Sequence, residues 1–376
     1  MKKFIIFVAA VAMVGAFVAT AMADVSLYGS ARFRTYYADA DPGGNVDSDS
    51  DLEWRIGHLT RFGASFKSDK ITGKFEMDAR AGGAGSTGNI ENDSGASRLG
   101  NMRLRQLWGQ YDFGSWKFMI GQNYPLYDAP VSGINYYSGG FQKFGGIGYD
   151  VARTSQMRFT IGNFRIALLP TDTSISGVQG DTTVEFTDDT DVELPKIELR
   201  YDLKADWGVL NFIGGYQTYD VVHDDGTDQS ISSYVLGLRG KFNFGPAYLG
   251  ASLTYRQNGA NYGAWTTAYE QAVYDGRGIQ DTTAMGGVAA LGYKINDSNT
   301  LEASIGYLKS ELDLPGTWEE DKTVYGLMWK YTVAPGFYII PEFIYQDNGE
   351  TKEEGEPDAD NGDTTIFGVF WRIDFK

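Results

Sequence analysis

The chain has 376 residues, including 48 Gly and no Cys, and its formal net charge is −17. Without Cys, the chain holds no disulfide scaffold and no Cys-ligated zinc, iron–sulfur or c-type haem site. The balance of 32 basic against 49 acidic residues argues against nucleic-acid binding, which needs a cationic surface. Abundant Gly and aromatic residues, with only 10 Pro, favour many strands joined by tight turns.

The first 23 residues have the pattern of an export signal. Lys2 and Lys3 precede an apolar run from Phe4 to about Val18, and the small residues at 21–23 predict cleavage after Ala23. No later segment approaches the roughly 18 uncharged apolar residues of a membrane helix. We therefore expect a signal peptide at 1–23 and one domain at 24–376, which would enter a membrane only as strands.

From Asp24 onward the dominant pattern has a period of two, which is the period of a β-strand. In the last segment one face carries Phe367, Val369, Trp371, Ile373 and Phe375, and the other carries Gly368, Phe370, Arg372 and Asp374. Charged side chains keep to one parity in segment after segment. A charge facing lipid at mid-depth costs about 2–4 kcal/mol, so this one-sidedness predicts strands between lipid and water.

Sixteen such segments can be counted, at about 25–37, 52–66, 71–80, 102–113, 116–122, 153–161, 164–170, 195–203, 208–218, 232–243, 247–257, 283–295, 301–309, 323–333, 337–346 and 365–375. Seven short turns and eight long connections alternate strictly between them. This alternation is typical of outer-membrane barrels. We predict an all-β, transmembrane antiparallel β-barrel of about 16 strands, with short periplasmic turns and long external loops.

The predicted size of the barrel indicates its function. Eight-stranded barrels fill their interior with side chains, whereas about 16 strands leave an aqueous channel. The inward positions here are charged and polar. The sequence therefore predicts a water-filled channel in an outer membrane, for passive diffusion of small hydrophilic solutes and ions.

A basic wall is expected early in the chain. Inward parity selects Arg32, Arg34, Arg55, Arg61, Lys74 and Arg80, and also Arg103 and Arg105 if Trp108 points to lipid, a point that a bulge near Gly109 to Asp112 would alter. The third long connection, 123–152, has Asp128 and Asp150 as its only carboxylates. It either folds inward and narrows the lumen or remains external. A basic wall opposite these acids would set up a transverse field that sorts ions.

The chain resembles the general porins of Gram-negative outer membranes. The resemblance rests on the order and spacing of DVSLYGSARF (24–33), RFGASF (61–66), RLRQLW (103–108) and GQNYPLYD (121–128), and on the aromatic terminal strand. It implies a sixteen-stranded, usually trimeric barrel whose third loop folds into the lumen opposite arginines. By position, Arg61 matches the wall arginine of strand two, and Arg103 or Arg105 that of strand four.

The resemblance also carries Asp128 and Asp150 over as acids of the third loop. Two features depart from the family pattern. The loop has no clear signature beyond FGG at 144–146, and the chain ends in Lys376 after Phe375. The partners expected on this basis are outer-membrane lipid and lipopolysaccharide, two further copies of the chain in a homotrimer, and small solutes and ions.

Three alternative functions stay open. The first is a substrate-specific channel in which four loop tyrosines form a sugar-stacking slide: Tyr124, Tyr127, Tyr136 and Tyr137. The others are a barrel sheath for an electron-transfer partner and a plugged structural barrel. The only histidines, His58 and His223, have no partner that the sequence can show, so we predict no enzyme, no cofactor and no metal site. The acidic total predicts a modest preference for cations that weakens with salt.

Overall fold

The structure is a computed structural model that describes residues 24–43, 48–57, 59–80, 101–137, 139–148, 153–173, 177–179, 182–184, 190–222, 228–264, 269–274, 278–312, 318–353, 355 and 357–376. The predicted signal peptide (1–23), Asp150, His58 and His223 lie outside these ranges, as does the side chain of Arg80.

Sixteen strands build one barrel. They are β1 (Asp24–Asp41), β2 (in two segments, Asp49–Ile56 and Arg61–Ser68), β3 (Ile71–Arg80), β4 (Asn101–Asp112), β5 (Lys117–Asn123), β6 (Thr154–Ile161), β7 (Phe164–Leu169), β8 (Lys196–Ala205), β9 (Gly208–Val222), β10 (Asp228–Phe244), β11 (Ala247–Gln257), β12 (Thr282–Asn296), β13 (Asn299–Leu312), β14 (Trp318–Ala334), β15 (Phe337–Asp347) and β16 (Asp363–Phe375).

The sheet closes on itself. Each strand pairs antiparallel with its neighbours in the chain, and β1 pairs with β16 from Gly29 opposite Phe375 to Asp41 opposite Asp363. Closure removes the sheet edges and gives backbone polar groups partners without water, which a membrane environment requires. The predicted antiparallel barrel of 16 strands is confirmed.

The two faces of the wall are inverted relative to a water-soluble protein. Leu327 on the outer face is 57 % exposed, whereas Glu302 on the inner face of the adjacent strand is 4 % exposed. The same outward exposure recurs for the large apolar side chains of β8 and β16, such as Leu199 and Phe367. Among the described residues, no helix is long and apolar enough to cross a membrane.

A bulge in β4 corrects one sequence expectation. Glu76 pairs with Gln106 and Met77 with Leu104, so Arg105 is an extra residue in β4. The strand changes parity there, because a bulge inserts one unpaired residue. As a result Arg105 shares the inner face with Trp108, which lies opposite Lys74. The expectation that Arg105 faces inward only if Trp108 faces lipid was wrong, and residues 107–112 pair regularly.

Several strands extend further at their outer ends than the alternation predicts. β13 was expected at 301–309 and spans Asn299–Leu312, while β14 was expected at 323–333 and spans Trp318–Ala334. Where the extensions begin, Lys309 of β13 lies 3.1 Å from Glu319 in the extension of β14. Apolar alternation ends where lipid ends, but the hydrogen-bonded ladder continues into water on charged pairs, so the pattern underestimates strand length.

Short elements occur in the long connections. Small antiparallel pairs join Gly177–Gln179 to Thr182–Val184, Val273–Tyr274 to Ile279–Gln280, and Glu350–Glu353 to Ala359–Asp360. A one-turn helix, α1, spans Gly259–Tyr262.

Candidate functional site

The wall of β1 to β4 carries the predicted arginines on its inner face. Arg34 is buried, lies 3.0 Å from Glu53 Oε2, and donates to the carbonyl oxygen of Tyr136 at 3.1 Å. Arg32 donates to Ser30 Oγ at 3.0 Å. Two of the predicted arginines are therefore brought to the same strand face, and one of them also contacts the third loop.

A charge network on β3 and β4 surrounds Arg105. The guanidinium donates to Glu76 Oε1 at 2.6 Å, to Asp78 Oδ2 at 3.0 Å and to Tyr124 Oη at 2.7 Å. Arg103 bonds the other oxygen of Asp78 at 2.9 Å, and Arg61 Nε lies 3.7 Å from Glu76 Oε2. Arg61, Arg103 and Arg105 thus form one cluster with two carboxylates that the sequence analysis did not select.

Of the two predicted loop acids, Asp128 lies among the described residues and Asp150 does not. Asp128 Oδ1 accepts a hydrogen bond from Gln142 Nε2 at 2.6 Å, within the loop itself. Burial raises the pKa of Asp128 to about 6, against the lowering effects of Gln142 and Arg153. Asp150 and the side chain of Arg80 belong to the part of the chain that is not described.

The backbone of the third loop, residues 124–148, is held by glutamates from distant strands. Glu198 on β8 accepts from the amide nitrogens of Leu126 at 2.5 Å and Tyr127 at 3.2 Å. Glu302 on β13 accepts from Gly133 N at 2.6 Å. Buried carboxylates that accept backbone N–H groups satisfy donors that would otherwise lack partners.

Glu342 on β15 makes the densest of these contacts. Its two carboxylate oxygens accept from Asn135 N at 2.7 Å, Asn135 Nδ2 at 2.9 Å, Tyr136 N at 2.9 Å and the hydroxyl of Tyr36 at 2.8 Å. Sequence reasoning missed all three glutamates. Their inward parity was a visible signal, but nothing in the alternation distinguishes a residue that binds a loop from one that faces water.

Arginines of β6 and β10, on either side of β8, hold carbonyl groups of the same loop. Arg158 on β6 donates to the carbonyl oxygen of Tyr124, and Arg239 on β10 donates to that of Pro130 at 3.2 Å. Neither arginine has a described carboxylate within ion-pair distance. Glutamates thus accept hydrogen bonds from the loop's amides, and arginines donate to its carbonyl groups. Side chains of both charges therefore hold the loop to the barrel wall.

An apolar cluster fixes the second half of the loop. Ile134, Phe141 and Phe144 pack with inward aliphatic residues of β12 and β14 to β16 that include Val288 and Ile344. Burying a large apolar side chain stabilises by roughly 1.5–3 kcal/mol. The loop therefore covers the inner face of the barrel at these residues of β12 and β14 to β16.

The FGG sequence at 144–146 brings loop and wall into backbone contact. Gly145 has φ +87°, a conformation that favours glycine. A Cβ added to Gly286 on β12 would lie 2.5 Å from the Gly145 Cα. Phe144 enters the apolar cluster, and Thr254 Oγ1 donates to the Gly145 carbonyl oxygen at 3.1 Å. FGG, the one feature of the family pattern that the loop carries, is therefore a point at which the loop contacts β11 and β12.

The four loop tyrosines do not form an open stacking surface. Tyr127 is fully buried, Tyr136 makes an edge contact with Tyr36 at 4.9 Å between ring centroids, and Tyr137 donates to Gln346 Oε1 at 2.6 Å. Tyr124 accepts a bond from Arg105. The rings of Tyr127, Tyr136 and Tyr137 pack on other aromatic rings, and the Arg153 guanidinium lies 5.5 Å from the ring centroid of Tyr124. These contacts disfavour the sugar-slide alternative. Within the described ranges, no three His, Asp or Glu residues are grouped so as to hold a metal ion.

Comparisons with known proteins agree with this geometry. A model of the Gram-negative porin family matches residues 9–351. No curated protein sequence matches the chain. Among solved structures, the outer membrane channel DcaP of Acinetobacter baumannii is similar with a TM-score of 0.65 and 16% identity, covering 94% of this chain and 97% of DcaP.

Two further structures share the fold. A trimer form of the outer membrane protein OmpT of Vibrio cholerae has a TM-score of 0.53 and 16% identity, over 93% of this chain and 99% of that one. An anion-selective porin from Comamonas acidovorans has a TM-score of 0.58 and 13% identity, over 94% and 100%. The family match covers most of the chain, so the protein belongs to the Gram-negative porins and is an outer-membrane channel for small solutes.

Proposed function

We propose that the third loop narrows the channel against a basic wall, so that small hydrophilic solutes and ions diffuse through passively and are sorted by size and charge. The residues that we assign to this constriction are Arg32, Arg34, Arg61, Arg80, Arg103, Arg105, Asp128 and Asp150. One observation carries the proposal: the loop's backbone is bonded to Arg34 on β1, Glu198 on β8 and Glu342 on β15. A segment bonded to such separate strands has to cross the interior.

The geometry favours a weak preference for anions, opposite to the expectation from the acidic composition. Arg158 and Arg239 bond the loop that narrows the channel, and neither has a described carboxylate within ion-pair distance. Asp128 is bonded within its own loop, and its ionisation is disfavoured by burial. Charges at the narrowest point affect a passing ion more than charges at a wide mouth, which are screened beyond about 10 Å at 0.1 M salt.

Ion selectivity provides the direct test. In a KCl gradient across a planar bilayer near neutral pH, the reversal potential should have the sign of anion selectivity. Replacing Arg158 and Arg239 together by Gln should reduce the chloride-to-potassium permeability ratio by roughly a factor of two. Lys294→Gln is the control, because that side chain lies near the end of β12, beside the turn to β13, and is more than half exposed. A cation-selective potential for the unmodified protein would refute the proposal.

The preference for anions should increase as the pH falls from 7 to 5. The pKa of Asp128 is raised to about 6, so the loop loses a negative charge in this interval. The same shift affects the stability of the docked loop. Because the folded-state pKa of Asp128 lies above the unfolded value of about 3.9, protonation stabilises the docked loop. This contribution is complete below about pH 3.9 and is lost as the pH rises through about 6. Asp128→Asn should remove the change near pH 6, and an unaltered profile in that variant would contradict the assignment.

Assembly follows from the same reading. We infer a homotrimer embedded in outer-membrane lipid and lipopolysaccharide, formed after cleavage behind Ala23, and acting without catalysis. The trimer form of OmpT supports this state, because it shares the fold over nearly the whole chain. Chemical cross-linking of the protein in outer-membrane vesicles should give a ladder that ends at three copies. A ladder that ends at one copy would exclude the trimer.

A further inference from the structure

The connection between β11 and β12, residues 258–281, begins with an unusually well-anchored segment. Asn258 precedes α1 with φ 50°, and its side-chain amide donates to Ser232 O at 3.0 Å and to Asp281 Oδ1 at 2.7 Å. Asn261 of α1 accepts at its carbonyl oxygen from Gln217 Nε2 at 2.7 Å. The chain is thus directed from the end of β11 toward β9.

Tyr262, the last residue of α1, reaches the inner wall. Its hydroxyl donates to Glu198 Oε1 at 3.1 Å, and its carbonyl oxygen accepts from Lys196 Nζ at 2.6 Å. Glu198 pairs across the sheet with Gly215, where an added Cβ would lie 1.9 Å from the Tyr262 hydroxyl. The tyrosine therefore occupies the space that a side chain at Gly215 would fill.

Contacts further along carry the connection away from this wall. Arg256 and Glu270 form a fully buried ion pair at 2.5 Å. The adjacent residue contacts a different strand, because Tyr269 N donates to Glu320 Oε2 on β14 at 3.1 Å. This connection therefore contacts β8 and β9 at one point and β14 at another, as the third loop contacts separate walls.

Both loops meet at one carboxylate. Glu198 accepts two amides of the third loop and the hydroxyl of Tyr262. The rings of Tyr127 and Tyr262 are in edge contact with centroids 5.9 Å apart. Ala264 is buried beside them, in a cluster that includes Ala129 and Ile147 of the third loop.

We infer that the described parts of this connection, residues 258–264, 269–274 and 278–281, belong to a second lumenal loop, which docks with the third loop on Glu198 so that the two together set the size of the passage. This inference rests on the proposed function, in which the third loop narrows the channel. The third loop has its own contacts with β1, β13 and β15, but it shares the carboxylate of Glu198 on β8 with Tyr262. Displacing Tyr262 should therefore widen the passage on the side of β8 to β11.

Docking of the second lumenal loop can be tested by cysteine labelling, which does not require a measurement of channel current. The chain has no Cys, so each introduced cysteine is unique. A charged maleimide that does not cross membranes should modify Ala264→Cys at least roughly ten-fold more slowly than Ala359→Cys, because the first site is buried and the second is exposed. Equal rates in the folded barrel would overturn the inference.

A matched glycine pair then tests the effect on the channel. Gly215→Ala places a methyl group against Tyr262, whereas Gly214→Ala on the outer face meets its nearest atom, in Leu236, at 3.7 Å. We expect Gly215→Ala to accelerate labelling of Ala264→Cys and to raise single-channel conductance by roughly 1.5-fold, with Gly214→Ala unchanged in both. If Gly215→Ala does not fold, Tyr262→Phe takes its place. It removes the hydrogen bond from the Tyr262 hydroxyl to Glu198 and keeps the aromatic ring.

A failure of this inference and a failure of the proposed function would give different results for labelling, conductance and reversal potential. Faster labelling with unchanged conductance would overturn the role of the second loop in setting the passage. Slow labelling of Ala264→Cys combined with a cation-selective reversal potential would leave the docking established and refute the proposed ion preference. Faster labelling with the expected rise in conductance supports the inference.

Discussion

Arg105→Met is expected to destabilise the folded barrel by about 3–5 kcal/mol, because it leaves two buried carboxylates without their shared cation. Arg105 bonds Glu76 at 2.6 Å and Asp78 at 3.0 Å, and all three side chains are at most 1 % exposed. Arg103 still faces Asp78 in the variant, which places the expected loss toward the lower end of the range. The measurement is the unfolding midpoint in urea, followed by tryptophan fluorescence in lipid vesicles.

Arg103→Met is the matched control. It removes an arginine of the same strand that also pairs with Asp78, but Arg103 is 35 % exposed. Asp78 keeps Arg105 as its cation in this variant, and an ion pair whose cation is in contact with water contributes about 0–1 kcal/mol, so the variant should unfold close to the unmodified protein. Indistinguishable midpoints for the two variants would contradict the view that Arg105 holds β3 and β4 together through a buried network.

The alternation predicts the barrel well because lipid restricts one face of every strand so strongly. Strands such as 323–333 and 365–375 were located by this pattern alone, and the count of sixteen followed from the alternation of short and long connections. The bulge at Arg105 was placed wrongly because one inserted residue changes parity without any change in composition. The ends of β13 and β14 were missed because the ladder there continues in water, where the pattern carries no signal.

The candidate site was only partly predictable from the sequence. Arg32, Arg34 and Arg61 follow from parity on regular strands, so their inward positions could be derived. Glu198 and Glu342 could not be recognised as loop anchors, because their partners are backbone amides of a connection about thirty residues long. Where such a loop contacts the wall depends on its tertiary path, which the local period of two does not encode.

Glu342→Ala is expected to roughly double the single-channel conductance, because it detaches the middle of the third loop from β15. The substitution removes the acceptor for two backbone amides, one side-chain amide and the Tyr36 hydroxyl. Each buried donor left without a partner costs about 1–3 kcal/mol, so the docked position becomes unfavourable. The strand itself should stay in place, because its ladder to Gly368 and Met328 uses backbone groups.

Two controls distinguish this mechanism from a general change in charge. Glu350→Ala also removes one negative charge, but from an exposed position on the short strand Glu350–Glu353, and it should leave conductance within error. Glu342→Gln keeps one acceptor oxygen in the same place and should fall between the unmodified protein and Glu342→Ala. If Glu350→Ala raised conductance as much as Glu342→Ala, the effect would come from charge in the channel, and the third loop would not depend on Glu342 for its position.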